Sequence, residues 1–475
     1  MKNTIKILLL VFGTMFFSSC ESELEQLPNN SVTPGSYYTN LEEFEAATRG
    51  VYAGFLSGAY YGGSFLSRPD IMTDNVIIAQ EGRLSNRNFF EWRHAPNLAW
   101  GFMRAPYIII NRSNLILENL DNLSAGADRN NIEGEARATR ALALFDLARV
   151  FSQIPTQSAS ASQSLGMPII TVTDPTIQIP RPTVEATYTY IIDELEAAKN
   201  LVNTNNGSGR FNKDAVNALL SRAYLYNGDD LGAINAANDV TASVSSRSTF
   251  SGIWTDSNED GVILKINQDR ILDGVGIGIE WSQSANGNVV PEYVMAFDLF
   301  NLYDNTDIRK SAYTLIQSDA SGNFYNTIIK MFGEAGQNNG VVDAKVIRAA
   351  EVFLNKAEAH ANRGEFADAL AALDMVRSNR YSGFTSPGET GAALVDAIRL
   401  ERRLELFAEG HRLFDLKRWN EPVVRNTTNG EFFDGTGTPI PAAFANFAAG
   451  DTQFQLPIPQ SEINIYPDFQ QNPGY

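Results

Sequence analysis

Two distant stretches of this chain carry one pattern. Ala223, Tyr224, Gly228, Asp229, Ala233 and Ile234 are matched by Ala359, His360, Gly364, Glu365, Ala369 and Leu370, at a constant offset of 136 residues. In each, a glycine closes one helix, an acid opens the next, and a small alanine lets the second helix lie close against the first. Such a pair cannot bury its apolar face alone. It must stack on neighbours, which restricts the chain to layered helix pairs.

That is the logic of a tetratricopeptide repeat, here at 212–240 and 348–378. The two units are not contiguous, because a loop-rich stretch of roughly 245–345 lies between them. Further helices are signalled elsewhere. Asn40 and Glu43 have capping-box spacing, and Leu41, Phe44, Ala47, Val51 and Phe55 form an apolar stripe. GEARATRALALFDLARVF (134–151) is strongly helical, and Thr183 caps the helix that follows Pro180 and Pro182. The expectation is a mostly α fold, a tetratricopeptide-like helix-pair scaffold with large loop-rich insertions and a few short strands, VILKI (262–266) among them. Repeat helices are expected at about 40–57, 103–151, 183–243, 346–380 and 394–419, within a single domain spanning 40–475. Residues 60–100 and 245–345 are expected to be loops.

The N-terminus reads as an export signal over residues 1–19. Lys2 and Lys6 precede an apolar run from Ile7 to Phe17, then Ser18, Ser19 and Cys20. That run is shorter than the ~20 residues of a membrane span. Cys20 is the only cysteine of 475 residues, so the chain can form no internal disulfide. Its position after two serines matches a bacterial lipoprotein signal, in which the thiol is acylated, although Phe17 stands where leucine is usual. Residues 20–39 then read as anchor and polar tether, acidic at Glu21, Glu23 and Glu25.

Charge narrows the partners. The formal net charge is −18, which argues against nucleic acid and anionic lipid. Polyanionic ligands are also disfavoured, unless a local basic pocket overrides the mean. Catalytic signatures are missing. His94, His360 and His411 stand far apart, none with a metal-ligand partner at usual spacing, and no nucleophile elbow, Walker or dinucleotide motif appears. Two carboxylates suffice for a glycosidase, so an enzyme stays open on sequence alone, but the expectation is a non-enzyme.

Two stretches invite a chemical reading and also a structural one. Asp256, Asn258, Asp260 and Gly261 fit the start of a calcium loop, but Asn267 replaces the closing glutamate and a strand follows. An acidic turn before a strand accounts for the same residues, so no cofactor is expected. In 398–419, Arg402 and Glu405, and Glu409 and Arg412, have the spacing of pairs on one helix face. Leu406, Phe407, Leu413 and Phe414 supply a buried side, so a helix pair locked by ion pairs is expected there, capped by Trp419.

A ligand platform asks for aromatic faces with polar groups at the rim. Two loop-like stretches offer this. One holds Tyr60, Tyr61, Arg68, Asp74, Asn75, Phe89, Phe90 and Trp92; the other holds Trp281, Gln283, Asn286, Asn288 and Tyr293. Trp100 and Trp254 are expected in the core, and Trp92 and Trp281 are the candidate platforms.

IRLERRLELFAEGHRLFDLKRW (398–419), the ending LPIPQSEINIYPDFQQNPGY (456–475), GEARATRALALFDLARVFSQIP and Cys20 with its signal together resemble the SusD/RagB family of outer-membrane lipoproteins. The resemblance runs from Cys20 to Tyr475. It implies a paired-helix scaffold with ligand sites on loops of the two regions above. It also implies a non-catalytic, lipid-anchored protein on the outer face of the outer membrane of Bacteroidota. Such a protein binds glycans and delivers them to a SusC-like TonB-dependent β-barrel transporter. Capture of peptides or another nutrient by the same lid, or a repeat adaptor with no small ligand, are the alternatives.

Overall fold

The structure is a computed structural model. It describes residues 37–79, 82–174, 176–269, 276–285, 288–318, 324–337, 339–426 and 440–475. Cys20, the signal segment and Asn286 lie outside the described residues. Among the described residues no helix is long and apolar enough to cross a membrane.

A row of packed helices forms the scaffold. They are α1 (Leu41–Gly54), α2 (Ser64–Ile71), α3 (Arg104–Glu118), α4 (Ala127–Phe151), α5 (Val184–Lys199), α6 (Lys213–Asn227), α7 (Asp230–Asn238), α8 (Ala349–Asn362), α9 (Phe366–Ser378), α10 (Gly391–Glu405), α11 (Arg412–Trp419) and α12 (Gln460–Ile465). Leaving aside α2, each helix from α1 to α9 packs on its neighbours in this order, and α10 covers α8 and α9. The longest helix of the row is α4. It is buried along most of its length, and Ala136, Ala138, Ala141, Ala143 and Ala148 let helices approach it from several sides. At the start of α1, Asn40 accepts from the Glu43 amide at 3.1 Å, while the Glu43 carboxylate accepts from the Thr39 amide at 2.7 Å. The reciprocal bond of the expected capping box thus reaches one residue further back.

The two sequence repeats are α6–α7 and α8–α9. Gly228 (φ 80°) and Gly364 (φ 75°) end their first helices in the left-handed region, and Ala233 and Ala369 are fully buried. Leu225, Ala233 and Ile234 of the first pair close on Ala359 of the second. The pairs therefore stack directly, and the long insertion leaves the row and returns to it. Gly364→Ala is expected to cost ~1–2 kcal/mol through the left-handed backbone alone, since nothing lies within 4 Å of an added Cβ. Denaturant unfolding of the variant checks this.

The insertion leaves and returns as paired strands. β1 (Val76–Ile78) belongs to the first loop region. In the insertion lie β2 (Val262–Ile266), β3 (Ser282–Ala285), β4 (Asn288–Pro291), β5 (Tyr293–Met295), β6 (Thr314–Ser318), β7 (Phe324–Ile328) and β8 (Ala344–Arg348). β2 pairs antiparallel with β8, which runs straight into α8. β1 joins β5 antiparallel, with Val76 opposite Met295 and Ile78 opposite Tyr293, in a sheet of order β1-β5-β7-β6. This pairing brings the two loop regions together.

The charge-dense segment 398–419 forms α10 and α11, but its ion pairs differ from those expected. Ala408 (φ 61°) and Gly410 (φ 79°) break the chain between the helices, so Glu409 and Arg412 do not share a face. Glu405 instead accepts from Arg309, Arg348 and Arg380, all buried. Glu409 takes Lys330 and Arg348, Arg402 takes Asp415, and Arg412 takes Asp74. Arg418 and the Trp419 indole both hold Glu358. The segment ties the insertion and the first loop region to the repeat row.

Candidate functional site

The aromatic side chains expected to meet a ligand are buried. Tyr60 and Tyr61 both donate to the Asp146 carboxylate of α4, at 2.5 and 2.9 Å. Trp92 is 3% exposed; its indole donates to the Met72 carbonyl at 2.7 Å and its ring stacks on Phe447 at 4.1 Å. Trp281 is 1% exposed, and Tyr293 is fully buried with its hydroxyl donating to the Ser85 carbonyl. None offers an open face, so the expectation of exposed platforms at Trp92 and Trp281 is corrected. Trp100 and Trp254 are core residues, as expected.

The polar candidates are largely occupied by protein partners. Arg68 donates to Asn86 and lies over the rings of Phe89 and Trp100, at 4.0 and 5.0 Å. Its burial lowers its pKa to about 10. Asn75 donates to Asp70 at 2.7 Å and accepts from Arg403 at 2.8 Å. Burial alone would raise the Asp74 carboxyl, but the charges of Arg403 and Arg412 outweigh it and hold it well below the usual range. Asn288 begins β4. The two candidate stretches nevertheless meet. Glu280 accepts from Ser67 and Asn86, and Glu292 from Arg83. These contacts close the seam with internal polar pairs.

The calcium-like turn is also satisfied internally. Asp256 accepts from the Asp343 amide at 2.8 Å and pairs with Lys345, Asn258 bonds Thr249, and Asp260 accepts from the Ser246 amide at 2.9 Å. Among the described residues no three His, Cys, Asp or Glu side chains gather as a cation site.

An open site lies elsewhere, beside α3. A groove of about 600 Å³ runs between α3, residues 168–170 and 176–179, and the C-terminal stretch that carries α12. One face of α3 builds its wall. Tyr107 donates to the Pro168 carbonyl at 3.3 Å and Asn114 to that of Ile170 at 3.0 Å, and Glu118 accepts from the Thr173 amide at 2.8 Å. These positions recur at seven and four residues, so they lie along one stripe of the helix. The opposite wall is pinned by Arg181, which donates to Asn472 at 2.8 Å and to the Gln470 carbonyl at 3.1 Å. Asn472 also bonds the carbonyls of Phe151 and Leu456, both at 2.7 Å. Those bonds account for the Asn-Pro-Gly-Tyr ending as a fastening.

The groove combines apolar faces with a polar rim. Tyr466 and Phe469 lie nearly parallel, 6.2 Å apart, and Tyr107 and Ile108 stand across from them. Ile177 and Ile465, 47% and 75% exposed, form the lips. Arg104, Asn111, Arg112, Gln178 and Glu462 supply donors and acceptors. Burial pushes the Tyr107 phenol above its ordinary pKa, so it stays neutral and can donate. A second hollow of about 410 Å³ continues past Arg104, Ile108 and Arg112 toward Gly54. This is chemistry suited to a ring-shaped, hydroxyl-rich ligand. The sequence held a signal for it, in Tyr466 and Phe469 of YPDFQQNPGY. What it lacked was the meeting of that ending with α3, more than three hundred residues earlier.

Comparison with known proteins accords with this architecture. Residues 280–475 match the SusD family, and residues 65–225 match a family described as starch-binding associating with outer membrane. A SusD-like protein, P38, of Formosa agariphila is 23% identical, over 90% of this chain and 94% of its own. A SusD superfamily structure from Bacteroides thetaiotaomicron superposes with a TM-score of 0.78 at 25% identity, covering 91% of this chain and all of that one. A Bacteroides vulgatus structure whose name refers to sugar binding has a TM-score of 0.80 at 26% identity, covering 92% of this chain and 98% of that one. With SusD family matches in both halves and a shared fold along nearly the whole described length, this chain is SusD-like.

Proposed function

We propose that this protein binds glycans at the outer membrane and passes them to a SusC-like TonB-dependent transporter, held at the cell surface by lipid on Cys20. The observation that carries the reading is the groove beside α3, where aromatic rings face amide and guanidinium groups across a span fit for several sugar rings. Similarity to the SusD family supports it, as do the sugar-binding name of the Bacteroides vulgatus structure and the outer-membrane description of the family matched by residues 65–225. The role is capture: binding raises the ligand concentration at the transporter mouth, and the chain does no chemistry on it.

Affinity electrophoresis of the protein against plant, fungal, bacterial and algal glycans tests the reading. Retardation by one glycan class is expected. Tyr466→Ala, which removes a half-buried ring from the groove wall, is expected to weaken that binding by ~10-fold while the fold is retained. Retardation that survives Tyr466→Ala and Tyr107→Ala would place the site outside this groove. Retardation by no glycan would overturn the reading.

A further inference from the structure

The groove has a charge bias opposite to that of the molecule. The chain carries a formal net charge of −18, yet the charged groups lining this groove are Arg104, Arg112 and Glu462. Both arginines are exposed, and among the described residues neither has a carboxylate within ion-pair distance. Among the described residues Arg112 donates to the Gly50 carbonyl alone, at 2.5 Å, and Arg104 has no hydrogen-bond partner, which leaves its donors for an incoming group. Elsewhere several buried arginines are taken by glutamates and aspartates, as at Arg222 with Glu351 and Arg309 with Asp307, and Arg181 and Arg425 are taken by backbone carbonyls. Two guanidinium groups of one helix that line the same groove without a carboxylate partner are therefore a local feature.

Their spacing fits an extended ligand. Eight residues of helix separate them by ~12 Å along the axis, a distance that a short oligosaccharide bridges. A guanidinium presents a planar fork that matches the oxygens of a carboxylate or a sulfate, and partial removal from water inside a groove strengthens that attraction. We propose that the groove takes an anionic glycan, with Arg104 and Arg112 on carboxylate or sulfate groups and the rings of Tyr107 and Tyr466 against the sugar faces. This rests on the glycan-binding reading above and names its substrate class. Glu462 faces the same space and opposes the anion, which sets a limit on affinity and supplies a test of sign.

The experiment is calorimetric titration of the full-length protein in detergent. The probes are oligosaccharides of polygalacturonate, alginate and sulfated galactan, each beside its carboxyl-reduced or desulfated counterpart, with neutral glucan, mannan and xylan oligosaccharides alongside. Binding of a charged member is expected, lost with its charge; the carboxylate and sulfate arms show which anion is meant. Arg104→Gln with Arg112→Gln is expected to weaken that binding by ~10- to 100-fold, and raised salt to weaken it further. Glu462→Gln is expected to tighten it by a few-fold and to leave neutral sugars unaffected. Both arginines are at the surface, so thermal unfolding of these variants should match the parent. Equal binding of charged and neutral members, unmoved by the arginine changes but lost in Tyr466→Ala, would overturn the anionic proposal and keep the glycan reading. Binding of none of these sugars would overturn both.

Discussion

Glu405→Gln is expected to destabilise the protein by ~3–5 kcal/mol, the cost of breaking a buried ion pair by removing one partner. Glu405 is fully buried and accepts from three arginines that are themselves buried, Arg309, Arg348 and Arg380. An amide in its place carries no charge and presents one acceptor oxygen, so Arg380 loses its carboxylate partner, while Arg309 keeps Asp307 and Glu401 and Arg348 keeps Glu409. Urea unfolding of the variant measures the loss as a lower midpoint at unchanged slope. A change within ~1 kcal/mol would mean that the arginines find other acceptors or water.

The same network predicts an acid limit. Burial would raise the Glu358 carboxyl, but the charge and hydrogen bonds of Arg418 overcome this and hold it at about 2. Its unfolded value is ~4.3. A carboxyl depressed by folding stabilises the native state above the unfolded pKa, and that contribution is lost as pH falls through the window from ~4.3 toward ~2. Glu405 and Asp74 are shifted in the same direction by their arginines. Unfolding midpoints at pH 7 and pH 3 should therefore lie further apart for the parent than for Glu358→Gln, which has no carboxyl left to protonate at that site.

The second large effect is expected at Trp92. Trp92→Ala should cost ~3–5 kcal/mol, because it removes a buried ring and leaves a cavity. The ring stacks on Phe447, meets Phe454 edge-on at 5.3 Å and donates to the Met72 carbonyl, so it joins the first loop region to the C-terminal third. Loss of that donor also leaves a buried carbonyl without its partner, at ~1–3 kcal/mol. Thermal and urea unfolding check the prediction. A variant of parental stability that no longer binds glycan would return Trp92 to the role of a ligand platform.

These two sites mark where sequence and fold part company. A tryptophan in an irregular, Asn- and Arg-rich stretch has no period to show which way it points. Trp92 was therefore readable as aromatic and loop-borne, but its burial depends on Phe447 and Phe454, which arrive from the far end of the chain. Likewise Arg402 and Glu405 have the spacing of a local pair. Each instead turns to partners on other elements, since a buried charge is satisfied by whatever the packed neighbours bring.

Sequence alone determined the paired-helix scaffold. Its signals are local: a glycine that ends a helix in the left-handed region, an alanine small enough for close approach, and an apolar face repeating with the helical period. They act within one or two turns, so they are legible wherever they occur, and Gly228 and Gly364 do what their positions imply. Only the tertiary structure decided that the two repeats stack directly across a long insertion. It alone decided that the two loop regions seal against each other through β1 and β5, and that an open groove forms where α3 meets the C-terminal tail. Those are non-local contacts. They are selected by what remains to be buried once the helices have formed, and no short stretch of the chain contains both sides of any of them.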